Sequence, residues 1–96
     1  MRYEVYLSPR AEKQYQKLEP HVRRKIRAEL LQLEDEPYSK GFSLYGPAPG
    51  LRYVKMSYKS VQYRAVYDIS EDKKEVLVIF MGSRENFYKE LREFLG

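Results

Sequence analysis

The sequence predicts one α+β domain, residues 1–96, whose elements follow the order β-α-α-β-β-β-α. Apolar and polar residues alternate at the beginning of the chain and over three runs in its second half, as in strands. Between these regions, apolar residues recur every three or four positions, the spacing of helices that pack on a core. With 96 residues and 43% hydrophobic content, the chain can build one small core and not two.

The first half of the chain predicts a strand followed by a helix. Every second residue of 2–7 is apolar, which is the strand pattern. Ser8 can accept a hydrogen bond from a free amide of the helix, and Pro9 fits its first position. The apolar stripe of this helix consists of Ala11, Tyr15 and Leu18. We expect the helix to end near Glu19.

A second helix is predicted to begin at Pro20 and to end before Pro37, because proline disfavours a helical residue before it. Its apolar stripe consists of Val22, Ile26, Leu30 and Leu33, and the opposite face carries Arg23, Arg24, Arg27 and Gln32. The two helices are joined directly, and each has one apolar side. They therefore predict a helical hairpin on one face of the sheet.

Residues 38–50 are predicted to form a loop, since they are rich in glycine and proline, and Leu44 is expected to anchor this loop to the core. Three strands follow at residues 51–56, 61–69 and 75–81. Short polar turns join them, which predicts antiparallel pairing. On the second of these strands, one face consists of Val61, Tyr63, Ala65, Tyr67 and Ile69, and the other of Gln62, Arg64, Val66 and Asp68.

The run at residues 76–81 is apolar on both faces, which predicts a central strand covered on both sides. Gly82 is expected to end this strand, and Ser83 to cap a last helix. The apolar stripe of that C-terminal helix consists of Phe87, Leu91, Phe94 and Leu95.

Composition excludes several kinds of function. The chain has no cysteine, so it has no disulfide and no thiolate metal site, as is usual in the cytoplasm. Its single histidine, His21, has no metal-ligand partner at helical spacing, and neither a nucleophile elbow nor a phosphate-binding loop is present. No metal and no cofactor are therefore expected. No signal peptide or membrane-spanning run is seen, so a cytoplasmic location is expected.

The net charge of +4 favours anionic partners such as nucleic acid, although it could also serve solubility alone. Cations gather in the last three strands and at the start of the last helix, namely Arg52, Lys55, Lys59, Arg64 and Arg84. Arg64 lies within an apolar strand, where a guanidinium is costly unless it meets an anion or a wet cleft. The alternative is an ion pair with Asp68, and the sequence leaves both possibilities open.

Arg84 stands where the last helix is predicted to begin, a position that favours phosphate, or it is an ordinary surface arginine. Tyr88 follows one helical turn later and could stack on an unpaired base or pack in the core. Arg23 and Arg27 on the second helix could contact phosphates, or they could form a solvated helix face. These alternatives also stay open at the level of residue spacing.

Three segments together resemble the RelE/ParE toxin superfamily. They are residues 51–56 (LRYVKM), 63–67 (YRAVY) and 78–88 (VIFMGSRENFY), and the Ser-Pro-Arg-Ala start of the first helix agrees with them. The resemblance implies a curved antiparallel sheet with a helical hairpin on one face and a groove on the other. It also implies a toxin of a type II toxin–antitoxin system, whose partners are a cognate acidic antitoxin, the ribosome and mRNA.

For the RelE branch, the resemblance implies an mRNA endoribonuclease that acts in the ribosomal A site. The catalytic positions carried over are Lys55, Arg64, Arg84 and Tyr88. RNA contacts are expected from Arg52, Lys59, Arg23 and Arg27. Two positions depart from the family pattern: Tyr53 stands beside Arg52 where a basic residue is usual, and Ser83 stands where many relatives have histidine.

Metal-free cleavage would proceed by attack of the RNA 2′-hydroxyl on the adjacent phosphate. Two alternatives are a ParE-like inhibitor of DNA gyrase and a catalytically inactive binding member of the same fold.

Overall fold

The computed structural model describes residues 2–44, 50–83, 89–90 and 92–93. Over these residues it has five strands: β1 (Glu4–Leu7), β2 (Phe42–Ser43), β3 (Arg52–Tyr58), β4 (Val61–Ser70) and β5 (Glu75–Ser83). It also has three helices: α1 (Pro9–Gln16), α2 (Pro20–Leu31), which a 3-10 turn (Gln32–Glu34) extends, and α3 (Pro37–Lys40). The sheet order is β1-β5-β4-β3-β2. The predicted α+β fold with a curved antiparallel sheet is confirmed, with one parallel strand pair in a sheet that is otherwise antiparallel.

β1 pairs with β5 in parallel, whereas all other neighbouring strands are antiparallel. Parallel strands cannot be joined by a short turn and need a long crossover connection, usually a helical one. The helical hairpin that follows β1 carries the chain over one face of the sheet and so allows this parallel pair. β5 is therefore an interior strand between β1 and β4, as its apolar sequence predicts.

The start of α1 follows the local signals in the sequence. The backbone amide of Ala11 donates to Ser8 Oγ over 3.1 Å, and Pro9 occupies the first turn. Ser8 Oγ also donates to the carbonyl of Ile79 over 3.1 Å, which ties the helix start to β5. α1 ends at Gln16, somewhat before the predicted end near Glu19.

The core between the helices and the sheet contains the predicted stripes of both helices. Those of α2 and its extension, Val22, Ile26, Leu30 and Leu33, are buried. Ile26, Leu30 and Leu33 pack against one face of the sheet, which contributes Val54, Ala65, Tyr67, Val76, Val78 and Met81. The predicted assignment of Ala65 and Tyr67 to one face of β4 and Val66 to the other agrees with this packing.

The opposite face of the sheet has a smaller apolar cluster around Val66 and Phe80, against which Leu44, Leu51, Tyr53 and Ile79 pack. Leu44 thus anchors its segment as predicted. β5 carries a bulge here, since Val66 pairs with Phe80 while Tyr67 pairs with Val78, leaving Ile79 as an extra residue. β5 was predicted to be covered on both faces. On the face turned away from the helices, Phe80 is buried as predicted, whereas Leu77 is 42% exposed.

The prediction of a loop over residues 38–50 was wrong in its first part. Pro37 ends the preceding helical segment and also begins α3, because proline is favoured at a first helical position. Phe42 and Ser43 then pair with Tyr53 and Arg52, which makes β2 the edge strand of the sheet. Residues 45–49 of this predicted loop lie outside the described residues.

The predicted end of the last strand at Gly82 was also wrong. Gly82 pairs with Arg64 and Ser83 pairs with Tyr63, so the ladder with β4 carries β5 past the glycine. Of the predicted C-terminal helix, residues 89–90 and 92–93 have helical backbone, while its stripe of Phe87, Leu91, Phe94 and Leu95 lies outside the described residues. Among the helices that the structure describes, none has the length and apolarity needed to cross a bilayer.

The turn between β4 and β5 is joined to the rest of the fold through Glu71. The hydroxyls of Tyr3 and Tyr38 each donate to Glu71 Oε2 over 2.7 Å, and Lys74 forms an ion pair with the same carboxylate. The bond from Lys74, followed by those from the two tyrosines, lowers the pKa of Glu71 to about 2. This cluster holds together the residue before β1, helix α3 and the β4–β5 turn.

Candidate functional site

Two rows of side chains cross the sheet on the face turned away from the helices. In the first row, Lys55 of β3 is the cross-strand neighbour of Arg64 on β4, which is in turn the neighbour of Gly82 on β5. Directly paired residues share a face, so the two cations lie side by side. Val54 and Ala65, next to them along the strands, face the helices instead.

The second row is apolar and runs parallel to the first. Phe42 pairs with Tyr53, Tyr53 pairs with Val66, and Val66 pairs with Phe80. The ring centroids of Phe42 and Tyr53 are 5.5 Å apart, and the rings are tilted by 33°. The rings of this row are the apolar surface on which the cations of the first row pack.

Each cation of the first row lies over a ring of the second. Lys55 is exposed, and its ammonium nitrogen is 5.1 Å from the centroid of the Phe42 ring. Arg64 is 9% exposed, and its guanidinium carbon is 5.2 Å from the centroid of the Tyr53 ring. Cation–π contacts of this kind attract a cation to the face of the ring and so help to fix its position. Asp68, the predicted alternative partner of Arg64, is exposed farther along β4.

Of the four predicted catalytic residues, Lys55 and Arg64 are brought together. Arg84 and Tyr88 lie outside the described residues. Arg84 follows directly on Ser83, the last residue of β5, and Gly82 on that strand is the cross-strand neighbour of Arg64.

Arg52 faces the other way, although it is only three residues from Lys55. It pairs with the buried Tyr67, on the helix side of the sheet. Its Nη2 donates to the carbonyls of Tyr38 and Gly41 over 2.5 and 2.7 Å, and Nη1 donates to Ser43 Oγ over 3.3 Å. The guanidinium thus joins β3 to α3 and β2 and is not part of the Lys55–Arg64 pair.

The other predicted RNA contacts are also separate from this pair. Arg23 donates to the carbonyls of Gln16 and Leu18 over 3.1 Å each, which closes the end of α1. Arg27 is exposed on α2. Lys59 is exposed in the turn between β3 and β4, with a φ of 49°.

A second basic surface surrounds Tyr58 at that turn. The ammonium groups of Lys25 and Lys59 are each 5.5 Å from the centroid of the Tyr58 ring. His21 stacks on the same ring at 6.2 Å, and Arg24 contacts His21 Nδ1 over 2.6 Å. Helical spacing could not indicate the ring partner of His21, because that partner comes from a strand far along the chain.

A groove of about 740 Å³ lies between α1 and the residues that follow β5. The cations Arg10, Lys13 and Lys17 and the carboxylates Glu90 and Glu93 all line it. Leu18 and Met81 provide apolar surface. In the part of the chain that the structure describes, no group of three or more histidine or carboxylate side chains could hold a metal ion.

Sequence reasoning missed Phe42 and Tyr53 as members of the sheet face turned away from the helices (the open face). Phe42 was assigned to a loop, and Tyr53 was noted only because a basic residue is usual at that position in the family. A usable signal was present in the alternation of Tyr53 and Lys55, which puts both residues on one face of a strand.

Comparison with known structures supports the fold at several levels of identity. A structure of the intact RelBE toxin–antitoxin complex of E. coli contains a chain 30% identical, with a TM-score of 0.70, covering 83% of this chain and 94% of that one. A double arginine-to-alanine mutant of the E. coli toxin RelE in the free state is 26% identical, with a TM-score of 0.76 and coverage of 97% and 98%.

The toxin–antitoxin complex RelBE2 of Mycobacterium tuberculosis, at 21% identity and a TM-score of 0.77, supports the fold alone, with coverage of 88% and 93%. A search of curated protein sequences finds no match. The profile of the family described as ParE-like toxin of type II bacterial toxin–antitoxin systems matches residues 5–92. The chain therefore belongs to this family of type II toxins, with a fold of the RelE/ParE kind.

Proposed function

We propose that this toxin is a ribosome-dependent endoribonuclease that cleaves mRNA without a metal ion. The observation that carries the proposal is the Lys55–Arg64 pair: two cations lie side by side on the sheet face turned away from the helices, Lys55 exposed and Arg64 largely buried, each over an aromatic ring. Such a pair suits one RNA phosphate and its neighbour. Arg84, which follows β5 directly, is the third cation that we assign to this site.

The reaction needs little chemistry from the protein. The 2′-hydroxyl of one nucleotide attacks the adjacent phosphorus, the bond to the 5′-oxygen breaks, and a 2′,3′-cyclic phosphate and a 5′-hydroxyl remain. One proton leaves the 2′-oxygen, and another is delivered to the 5′-oxygen. Catalysis then consists of holding the reacting atoms in line and stabilising the charge that grows on the phosphoryl oxygens.

We assign these tasks to four residues. Arg64 binds two phosphoryl oxygens through its planar fork, and Arg84 adds a second guanidinium. Lys55 is exposed, so its ammonium can reach the reacting nucleotide and take part in proton transfer. Tyr88 stacks on a base and keeps the two nucleotides apart for attack. Because histidine is replaced by Ser83 at the family position, we expect the ribosome to supply much of the required geometry.

The test is incubation of the purified protein with ribosomes carrying a defined message in the A site, followed by mapping of the 5′-ends. We expect cuts in the A-site codon and poor cleavage of the same RNA without ribosomes. A message that stays intact at protein concentrations that stop growth would contradict the proposal.

The second candidate is inhibition of DNA gyrase, because the matching family is described as ParE-like. It requires no cleavage and predicts a loss of gyrase supercoiling with messages intact. Supercoiling assays run beside the cleavage assay separate the two functions. A protein inactive in both assays would indicate a binding member of the family.

We also propose a cognate antitoxin as partner, since several similar structures are toxin–antitoxin complexes. The groove beside α1 combines three cations, two carboxylates and apolar residues, which fits an amphipathic segment that carries both charges, with its acidic side chains toward Arg10, Lys13 and Lys17. We place the action of the toxin in the cytoplasm, where ribosomes and messages are found. Co-expression of the neighbouring reading frame should restore the growth of cells that produce the toxin. If growth is not restored, that reading frame does not encode the antitoxin.

A further inference from the structure

Phe42 has no role in the proposed reaction, yet it lies at the edge of the candidate site. It stands on β2, and 48% of its surface is exposed. One side of the ring meets Tyr53, with centroids 5.5 Å apart. The ring is therefore supported from one side and accessible over about half of its surface, which is costly for a phenylalanine that serves packing alone.

The backbone under Phe42 is fixed at both ends. Before it, Arg52 donates to the carbonyl of Gly41 over 2.7 Å. Gly41 itself lies so close to Tyr67 that a Cβ there would overlap the tyrosine hydroxyl oxygen. After Phe42, the amide of Leu44 donates to the carbonyl of Leu51 over 2.9 Å. Because the strand is held in this way, a ligand that binds the ring loses little conformational entropy in ordering it.

A cation beside Phe42 suggests what the ring receives. The ammonium nitrogen of Lys55 is 5.1 Å from the ring centroid. A flat aromatic surface beside a cation is the arrangement by which proteins hold single-stranded nucleic acid, with the base on the ring and the phosphate on the cation. An extended apolar partner would need a wider patch, whereas Phe42 is bordered by Lys55 and, through Tyr53, by Arg64.

We propose that Phe42 is a base-stacking residue that receives a nucleotide next to the one cleaved, with Tyr53 supporting its ring and Lys55 lying between this base and the reacting phosphate. This inference rests on the proposed RNA function and adds a nucleobase contact to it. Stacking accepts any base but favours the larger purines. Phe42 therefore influences which codons are cut best, in addition to the strength of RNA binding.

The chain has no tryptophan, so Phe42→Trp places a single indole at the proposed contact. The probe is a short single-stranded oligonucleotide with 2′-deoxy sugars, which cannot be cleaved, labelled for anisotropy. Its partner is an abasic oligonucleotide of the same length and charge. Leu77→Trp is the matched control, because Leu77 is exposed to a similar degree at the far end of the same sheet face.

We expect both oligonucleotides to bind both variants by anisotropy at low salt, and only the one with bases to quench the indole at position 42. Binding without quenching at position 42, or equal quenching by the abasic chain, would overturn the stacking role while leaving the RNA function in place. If the wild-type protein binds neither oligonucleotide, the stacking role is overturned, whereas the RNA function is decided separately by the cleavage assay on ribosomes.

The second measurement uses Phe42→Ala, Phe42→Trp and Leu77→Ala. One base stack is worth about 1–3 kcal/mol, so Phe42→Ala should weaken oligonucleotide binding by about 5- to 150-fold. Phe42→Trp should restore it, and Leu77→Ala should leave it unchanged. On ribosomes, Phe42→Ala should alter the relative cleavage of purine-rich and pyrimidine-rich codons. Unchanged affinity and an unchanged codon profile would contradict the proposal.

Discussion

Arg52 and Arg64 lie on neighbouring strands and have the same side chain, yet their surroundings differ. Arg52, on the helix side, donates hydrogen bonds to two backbone carbonyls and a serine of its own chain. Arg64, on the open side, lies against an aromatic ring beside Lys55. The role of an arginine therefore cannot be inferred from its charge until the sheet face on which it lies is known. Arg52 holds the fold together, and we assign Arg64 to the substrate.

The largest expected effect comes from Arg64→Ala, which should lower single-turnover cleavage on ribosomes by on the order of 10²–10³ because a phosphate clamp is removed. Arg64→Lys should recover part of the rate, since it keeps the charge but not the planar fork. Thermal unfolding serves as the control: because Arg64 is largely buried, some loss of stability is expected, and the cleavage rates are compared per folded molecule. Wild-type cleavage by Arg64→Ala would remove this residue from the site.

Arg52→Ala should show the opposite behaviour. Its removal leaves backbone carbonyls around α3 without a charged donor, so we expect the free energy of unfolding in urea to fall by about 2–3 kcal/mol. Cleavage per folded molecule should fall far less than in Arg64→Ala. If Arg52→Ala unfolds like the wild type and loses cleavage, Arg52 contacts RNA, and our division of the two faces is wrong.

Substitutions at two glycines compare the packing of the two sheet faces without a change of charge. Gly41→Ala should destabilise the protein by about 1–3 kcal/mol, since the new methyl group overlaps the Tyr67 hydroxyl. At Gly82, opposite Arg64, the nearest atom of the described residues to an added Cβ is Glu90 Oε2 at 3.9 Å, so Gly82→Ala should fit with little cost. Urea denaturation of both variants measures this. Equal destabilisation would show that the open side is packed as closely as the helix side.

Acid should weaken the fold through Glu71. Its pKa is lowered to about 2 in the folded protein from an ordinary value of 4.5. The stability it contributes is therefore complete above about pH 4.5 and is lost as the pH falls toward 2. Urea midpoints measured over this range should fall less steeply for Glu71→Gln than for the wild type. Asp72→Asn, in the same exposed turn, is the control and should follow the wild type.

The smallest effects are expected for Arg27 and Lys59, which are exposed and remote from the Lys55–Arg64 pair. If they bind ribosomal phosphates, each alanine variant should weaken binding a few-fold and reduce the slope of log affinity against log salt by about 0.7–0.9, the value for one phosphate neutralised. Ribosome binding measured at several salt concentrations tests this. A salt slope equal to that of the wild type would mark both as solvated surface residues.

Local signals predicted the local parts of this fold. Ser8 and Pro9 begin α1 as expected, and the apolar stripe of α2 is buried, because caps and periodicity depend on residues a few positions apart. β2 could not be predicted in this way. Its two residues become a strand only by pairing with β3, about ten positions away, and nothing in Phe42 and Ser43 alone indicates that.

The candidate site was predictable in part. The family pattern identified Lys55 and Arg64, and the register of β3 and β4 now makes them neighbours. It also grouped Arg52 with them, because the sheet face of each cation can be assigned only once the strand register is known. His21 and Phe42 were missed for a related reason, since their ring contacts come from other elements.

The bulge at Ile79 decides which side chains of the end of β5 face each side of the sheet. Side chains alternate along a strand, so one extra residue, once absorbed, exchanges the faces of the residues beyond it relative to an unbroken ladder. If Ile79 paired with Val66 instead, Gly82 would stand opposite Tyr63 and point toward the helices. Deleting Ile79 should therefore remove the bulge and keep Gly82 opposite Arg64, whereas a second inserted residue would turn the end of β5 over unless another bulge absorbed it.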